Sequence, residues 1–497
     1  MSDEGTRTAR RPAPYVFVVL GCVLVSLFIG VLTPIMPAMA VALVVVGALA
    51  VAAISQPLVA VALLLAIGGL PLEQLTGGEK SLLTGFGGAS ASGVVLVAMV
   101  GLLTLVLINS KALSRVSFLD GAFGVLLAVA AASILWAPAP LEGFRVLSKM
   151  AYPFLVYLAV RSFMTGPRAR DLVLRVVLAG GIVVAIWAFW GFITTGLPVF
   201  LSGGVYNLTV STTHPTPFGF YNVALFALCY ARFRQHGHRG FAALAALFAL
   251  EAIMSQSRMA MFGVVLVAVL VEIALSRSST RWLRAALVGA LLVTIGGVTI
   301  LSVPRLQEGV FYRPQSLRSS PAEIVESLND QGRGKIADAM VTELFFNGTW
   351  LFGEGLGSST VALQQGTLGA DLGGVGVAHN EYVRLFYETG VVGVVFALMA
   401  FVALVGAAWR VSQRMTAEHR WLGAAAFGLS VCYVVFAVTD NVLDYYNTFS
   451  QFVFFALAAA LAMEAAGDAT CADPAVHHAD DRAADDADDW FALEAGD

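Results

Sequence analysis

A histidine, an asparagine and several charged side chains stand at the mouth of an apolar run in AHNEYVRLFYETGVVGVV, residues 378–395. Histidine is the side chain best suited to taking a proton near neutral pH. His379 is therefore a candidate general base, although a lone histidine at such a boundary is more usually a polar anchor. Followed as a helix, the stretch puts Tyr382, Leu385 and Phe386 on an apolar face, while Arg384 and Glu388 stand four residues apart and can pair. Asn380, Arg384 and Glu388 become candidates for orienting the histidine or binding a polar substrate. Arg258, in SQSRMAM, lies between two apolar runs; such an arginine either has a partner or snorkels to the surface. Arg333, in DQGRGKIADAM, opens a segment with Ile336, Met340, Leu344 and Phe345 on one side. A helix start offers free N–H groups and a guanidinium offers a planar fork, both suited to phosphate oxygens; the plainer reading is an exposed loop arginine.

The elements that must position these groups are membrane helices. Of 497 residues 58% are hydrophobic and only 12% charged, against about 25% charged in a soluble domain. Apolar runs such as Val16–Leu32, Leu119–Trp136 and Val392–Ala408 have the length a helix needs to cross hydrocarbon. The chain reads as an all-α, polytopic bundle of about 12–14 spans, centred near residues 24, 45, 65, 101, 128, 157, 182, 224, 247, 267, 294, 400, 430 and 456. The polar, then basic start precedes a first helix that we read as retained rather than cleaved. Three domains follow: a cytoplasmic segment 1–14, a transmembrane domain 15–463, and an acidic tail 464–497 expected to be disordered and open to a cytoplasmic partner. The tail holds eleven acidic residues and one basic, so the remaining chain carries a charge of +6.

With the N-terminus inside, nineteen of 29 basic residues fall in alternate, cytoplasmic loops. The other ten are more informative, since they resist the orientation rule. Seven lie in or beside the SQSR hairpin and one long extracytoplasmic loop, about residues 304–389. Polar spots on the same side are His214 in STTHPTPFGF, Arg145 and Lys149 in LEGFRVLSKM, and Asp440 and Asp444 in TDNVLDYY. His214 also reads as a cap and turn, the two cations as snorkelling groups or steering charges for an anionic substrate, and the carboxylates as ligands for hydroxyl groups or wetted ends. Within the apolar runs, Glu251 and Glu272 need a cationic helix end or a proton. FGEGLGSS, residues 352–359, lacks the Lys-Ser/Thr ending of a phosphate loop and reads as a turn. The four cysteines show no zinc or disulfide spacing, and no cofactor motif or nucleic-acid surface is evident. Two arginines and a histidine on one side of a membrane protein suggest chemistry on a lipid-linked phosphate.

His379, Asn380, Gly390 and Gly393 follow the pattern His, Asn/Ser/Gln, nine residues, Gly-x-x-Gly. With the SQSR hairpin and GRGKIADAM…LFGEGLGSS upstream, this resembles the O-antigen ligase and polymerase superfamily over about residues 250–395. The resemblance implies a GT-C-like glycosyltransferase acting on undecaprenyl-diphosphate-linked glycan at the outer face of the bacterial inner membrane, without a metal. It implies that Arg258 and Arg333 bind the donor diphosphate and that His379 is the base, in a displacement with inversion at the anomeric carbon. The acceptor would be a glycan, a lipid or a wall polymer. Gly390 and Gly393 are expected to allow close helix packing. The competing class is a lipid-linked glycan flippase or other multispan transporter, which predicts polar groups at mid-membrane and an internal repeat.

Overall fold

The structure is a computed structural model that describes residues 56–67, 117–164, 166–195, 200–202, 205–207, 215–276, 280–302, 333–368 and 378–472, with isolated positions near 100–107 and at 278. Its helices are α1 (Pro57–Ile67), α2 (Phe118–Ser133), α3 (Pro140–Phe163), α4 (Pro167–Thr195), α5 (Pro215–His236), α6 (Arg239–Met254), α7 (Arg258–Leu275), α8 (Arg281–Ser302), α9 (Arg333–Asn347), α10 (Ser358–Gln365), α11 (Glu381–Arg414), α12 (Arg420–Phe436) and α13 (Gln451–Ala472). A two-stranded antiparallel hairpin, β1 (Phe200–Ser202) and β2 (Val205–Asn207), is the one departure from an all-α fold among the described residues.

Eleven of the expected span centres fall on these helices; those near 24 and 45 lie outside the described residues, and near 101 only scattered positions are described. Among the described residues, five segments have the length and composition to cross a membrane: Phe118–Trp136, Pro167–Trp190, Arg258–Leu275, Glu381–Arg414 and Tyr446–Ala466. The protein is a polytopic helical membrane protein. α13 continues to Ala472, past the expected start of the tail at residue 464, and the rest of the tail lies outside the described residues.

One continuous core joins α3, α5, α7, α11, α12 and α13, with small residues letting the backbones approach. Ala424, Ala425, Ala456, Ala458 and Ala459 are fully buried, and Gly263 lies so close to Phe436 that a Cβ would come within 2.5 Å of its ring. Charge gathers at one end of the bundle. There Ser117 and Asp120 form a capping box that opens α2, and Arg161 pairs with Asp120 at 2.6 Å. Glu272 takes both Arg234 and the Tyr230 hydroxyl, so this intramembrane acid has the cationic helix end it needed. Glu251 does not: it is fully buried, and among the described residues neither carboxylate oxygen has a hydrogen-bond donor.

Candidate active site at one end of the bundle

The opposite end of the bundle holds the histidine motif, and its backbone explains the motif's glycines. α11 is two helices joined at a break: Gly390 has φ +67 and ψ −168, a conformation that essentially only glycine adopts. The segment 350–357 fills that break. Its carbonyls at Trp350 and Leu351 accept from the N–H groups of Val391 and Val392 at 3.0 and 3.3 Å, restarting the helix. Its N–H groups at Glu354 and Gly355 donate to the carbonyls of Tyr387 and Glu388 at 2.8 and 3.0 Å, closing the first half. Three glycines, 353, 355 and 357, supply the left-handed turns (φ +73, +95 and +83) that allow it. GEGLG is thus a turn, as its composition suggests, but one built to splice a helix. Gly390 permits this break rather than the close helix packing expected of it, and a Cβ there would stand 2.2 Å from the Leu351 carbonyl oxygen.

His379 immediately precedes this helix, in a left-handed conformation unusual for a residue with a side chain (φ +49). Gln256, in the SQSR hairpin, has φ +56, and these two are the only non-glycine residues with positive φ among those described. Asn380 is the N-cap: its Oδ1 accepts from the N–H groups of Tyr382 and Val383 at 3.0 and 3.1 Å. That use fixes the start of the helix beside His379, in line with the orienting role that is one of the two open to Asn380. The histidine Nδ1 lies 3.8 Å from Asp440 Oδ1, and the imidazole keeps 28% of its side-chain surface exposed.

The charged residues of the motif turn inward. Arg384 is 3% exposed and bridges Glu381 at 2.6 Å and Asp444 at 2.8 Å, and Lys149 reaches the other oxygen of Asp444 at 2.9 Å. Burial works against charge on Asp444, but Arg384 and then Lys149 outweigh it and hold the carboxyl well below the usual carboxylate range. Arg384, a candidate for orienting the histidine or binding substrate, and Lys149, a candidate steering or snorkelling charge, meet in this network, because an ion buried in the protein needs its counter-charge. Glu388 does not form an ion pair with Arg384; it accepts from the Ser359 hydroxyl beside the glycine turn. Arg145, with 30% of its side chain exposed, stands 3.6 Å from Glu142. Asp444 and Ser359 are the partners that helical spacing could not supply, since both arrive from other elements.

The remaining candidates approach from neighbouring elements. Arg333 is the first residue of α9, whose buried Ile336, Met340 and Leu344 form one cluster with Ala378 and Tyr387; the Tyr387 hydroxyl also donates to Glu343 at 2.7 Å. Phe345, expected on that buried side, is instead 61% exposed and stacks on Trp350. Arg258 opens α7 directly after the hairpin, whose Ser257 hydroxyl accepts from the Ala260 N–H. The start of α5 links hairpin and histidine. Gly219 lies against Ser255 and Ala260, and the adjacent Phe220 packs on Phe436 and Tyr445 beside Asp440. His214 lies outside the described residues.

Residues 242–398, from α6 to the second half of α11, match the family model described as O-Antigen ligase. The matched span contains Arg258, Arg333, His379 and the spliced break at Gly390. No curated protein matches the chain. The match supports glycan transfer of the O-antigen ligase kind, which works on lipid-linked glycans at a membrane. Residues 242–398 are thus similar to the O-antigen ligase and polymerase superfamily, and the match supports that family for this part of the chain.

Proposed function

We propose that this protein transfers glycan from an undecaprenyl-diphosphate-linked donor to an acceptor hydroxyl, as a GT-C-like glycosyltransferase of the ligase or polymerase type. The reaction domain is residues 15–463, in the bacterial inner membrane with both termini cytoplasmic and His379 at the outer face. The observation that carries this reading is the gathering of His379, the Arg333 helix start and the Arg258 hairpin at one end of the bundle, within the family match.

The reaction is a displacement with inversion at the anomeric carbon. His379 takes the proton of the acceptor hydroxyl as the oxygen attacks. The diphosphate leaves with both electrons of its bond to the sugar, and Arg258 and Arg333 meet its growing negative charge through charge-assisted hydrogen bonds. A diphosphate is stable as an anion, so no acid is needed to protonate it. The buried Arg384–Asp444–Lys149 network acts at one remove, by fixing the helix that carries the base.

The purified protein, given undecaprenyl-diphosphate oligosaccharide alone, tests this when the lipid-linked product is followed by mass. Ladders of longer lipid-linked glycan mean a polymerase, and reaction only after a second acceptor is added means a ligase. Either activity should fall by on the order of 100-fold or more in His379→Ala, the contribution of a general base. Passage of intact substrate across a liposome bilayer, indifferent to that substitution and without new product, would replace the enzyme by a flippase.

A further inference from the structure

We infer that Asp440 is the positioning residue for His379, holding the imidazole by Nδ1 so that Nε2 faces the acceptor, with Tyr445 fixing Asp440 in turn. The inference rests on the reading of His379 as the base and assigns Asp440 a task other than binding sugar.

The geometry is specific on both sides of the pair. Among the described residues, Nδ1 of His379 is buried without a hydrogen-bond partner, and the nearest carboxylate oxygen is Oδ1 of Asp440 at 3.8 Å. The exposed part of the ring therefore lies away from Nδ1. A buried ring nitrogen left without a partner is costly, which favours closing a gap of under about 1 Å. Hydrogen bonds of catalytic groups are often long before substrate binds and tighten afterwards. Asp440 itself is 4% exposed, so it offers little surface to a sugar. Its Oδ1 already accepts from the Tyr445 hydroxyl at 2.6 Å and from the Asn441 N–H at 3.1 Å. Those bonds fix the orientation of the carboxylate beside the ring.

Both partners stand on stiff supports. Asp440 N–H donates to the Phe436 carbonyl at 2.8 Å, which places it just past the end of α12. The Tyr445 ring packs edge-on against Phe220, and Phe220 stacks on Phe436 at 4.3 Å. On the other side, Glu381 N–H donates to the Ala437 carbonyl at 2.8 Å, and a Glu381 carboxylate oxygen accepts from Leu443 N–H at 3.0 Å. These bonds tie the histidine's helix to the 437–445 turn, so the two side chains cannot drift apart independently.

A carboxylate on Nδ1 does two things for a base. It selects the tautomer with its proton on Nδ1, leaving the Nε2 lone pair free, and it stabilises the imidazolium that forms. In the step itself, the acceptor O–H proton passes to Nε2 as its oxygen bonds to the anomeric carbon. The carbon–oxygen bond to the diphosphate breaks, both electrons leave on the diphosphate, and the imidazolium later returns its proton to water.

The test compares Asp440→Asn, Tyr445→Phe, His379→Ala and the double variant His379→Ala/Asp440→Asn as full-length protein in nanodiscs, with undecaprenyl-diphosphate oligosaccharide and acceptor. Asp440→Asn should lower kcat by on the order of 100-fold, bounded by what the base itself contributes, with KM unchanged. The double variant should be no slower than His379→Ala, since two groups acting as one unit are not additive. A raised KM with kcat preserved would make Asp440 a sugar ligand and overturn the inference, as would losses that multiply in the double variant. Full turnover in His379→Ala removes the base reading beneath it, whereas a dead His379→Ala beside an unimpaired Asp440→Asn removes this inference alone. If Asp440→Asn fails to fold, Tyr445→Phe decides: a smaller fall in kcat at unchanged KM supports the arrangement, and wild-type turnover refutes it.

Discussion

Arg384 is held between two carboxylates where water barely reaches it, and that makes it the least replaceable charge in the site. Removing one member of a buried ion pair leaves its partners charged and uncompensated, at about 3–5 kcal/mol. Arg384→Met should therefore lower the thermal unfolding midpoint in detergent by several degrees, with Glu381 and Asp444 left facing each other. Arg384→Lys should recover little, because an ammonium lacks the planar fork that spans both carboxylates. Unaltered midpoints in both would show that the network is held by something other than the guanidinium. The sequence marked this arginine as special but named the wrong partner. Helical spacing pairs it with Glu388, whereas its strongest counter-charge is Asp444, 60 residues away on a turn after the next helix. The same blindness hid the neighbour of His379: nothing in the spacing of TDNVLDYY says which element its first aspartate will face.

At the scale of elements, the break in α11 carries the clearest expectation. Gly390 needs both its backbone conformation and the empty space of its missing side chain, since the Leu351 carbonyl fills the position a Cβ would take. Gly390→Ala should expel segment 350–357 from the break, abolish transfer and open the segment to protease. Gly366 is the control: it too has φ +67, but nothing stands within 4 Å of its Cβ position. Gly366→Ala should cost only the left-handed strain, about 1 kcal/mol, and keep activity. Equal behaviour of the two variants in limited proteolysis and turnover would dismiss the splice as a functional element. The glycine spacing was visible in the sequence, and so was the turn. That the turn and the break are one structure was not, because helix periodicity runs straight through Gly390 and treats Glu381–Arg414 as a single rod.

The whole molecule separates its charges by end. Arg161 with Asp120, Arg170 beside Asp171 and His419, Arg232 over the rings of Phe241 and Trp421, and Arg234 with Glu272 gather at one end. The histidine, the hairpin and the spliced turn gather at the other. That division was legible from the alternation of basic loops, as were the helix centres, because both follow from solvation alone. If the site faces outward, a cysteine placed at exposed Thr416 should react with an impermeant reagent only in inside-out vesicles, and one at exposed Phe346 only in right-side-out vesicles. The reverse pattern would turn the orientation around. The backbone bonds from Glu354 and Gly355 to Tyr387 and Glu388 also have a consequence for variation in length. They close the intervening chain into a ring. Within that ring residues 364–367 are exposed, Thr367 N–H donates to the Ala362 carbonyl, and Glu381 N–H ties the chain to the Ala437 carbonyl. The entropy of closing a loop grows only with the logarithm of its length, about 0.6 kcal/mol per doubling. Insertions at the exposed residues 364–367 would therefore leave His379 and Gly390 where they are, so the chain can change length there while the groups beneath it stay fixed.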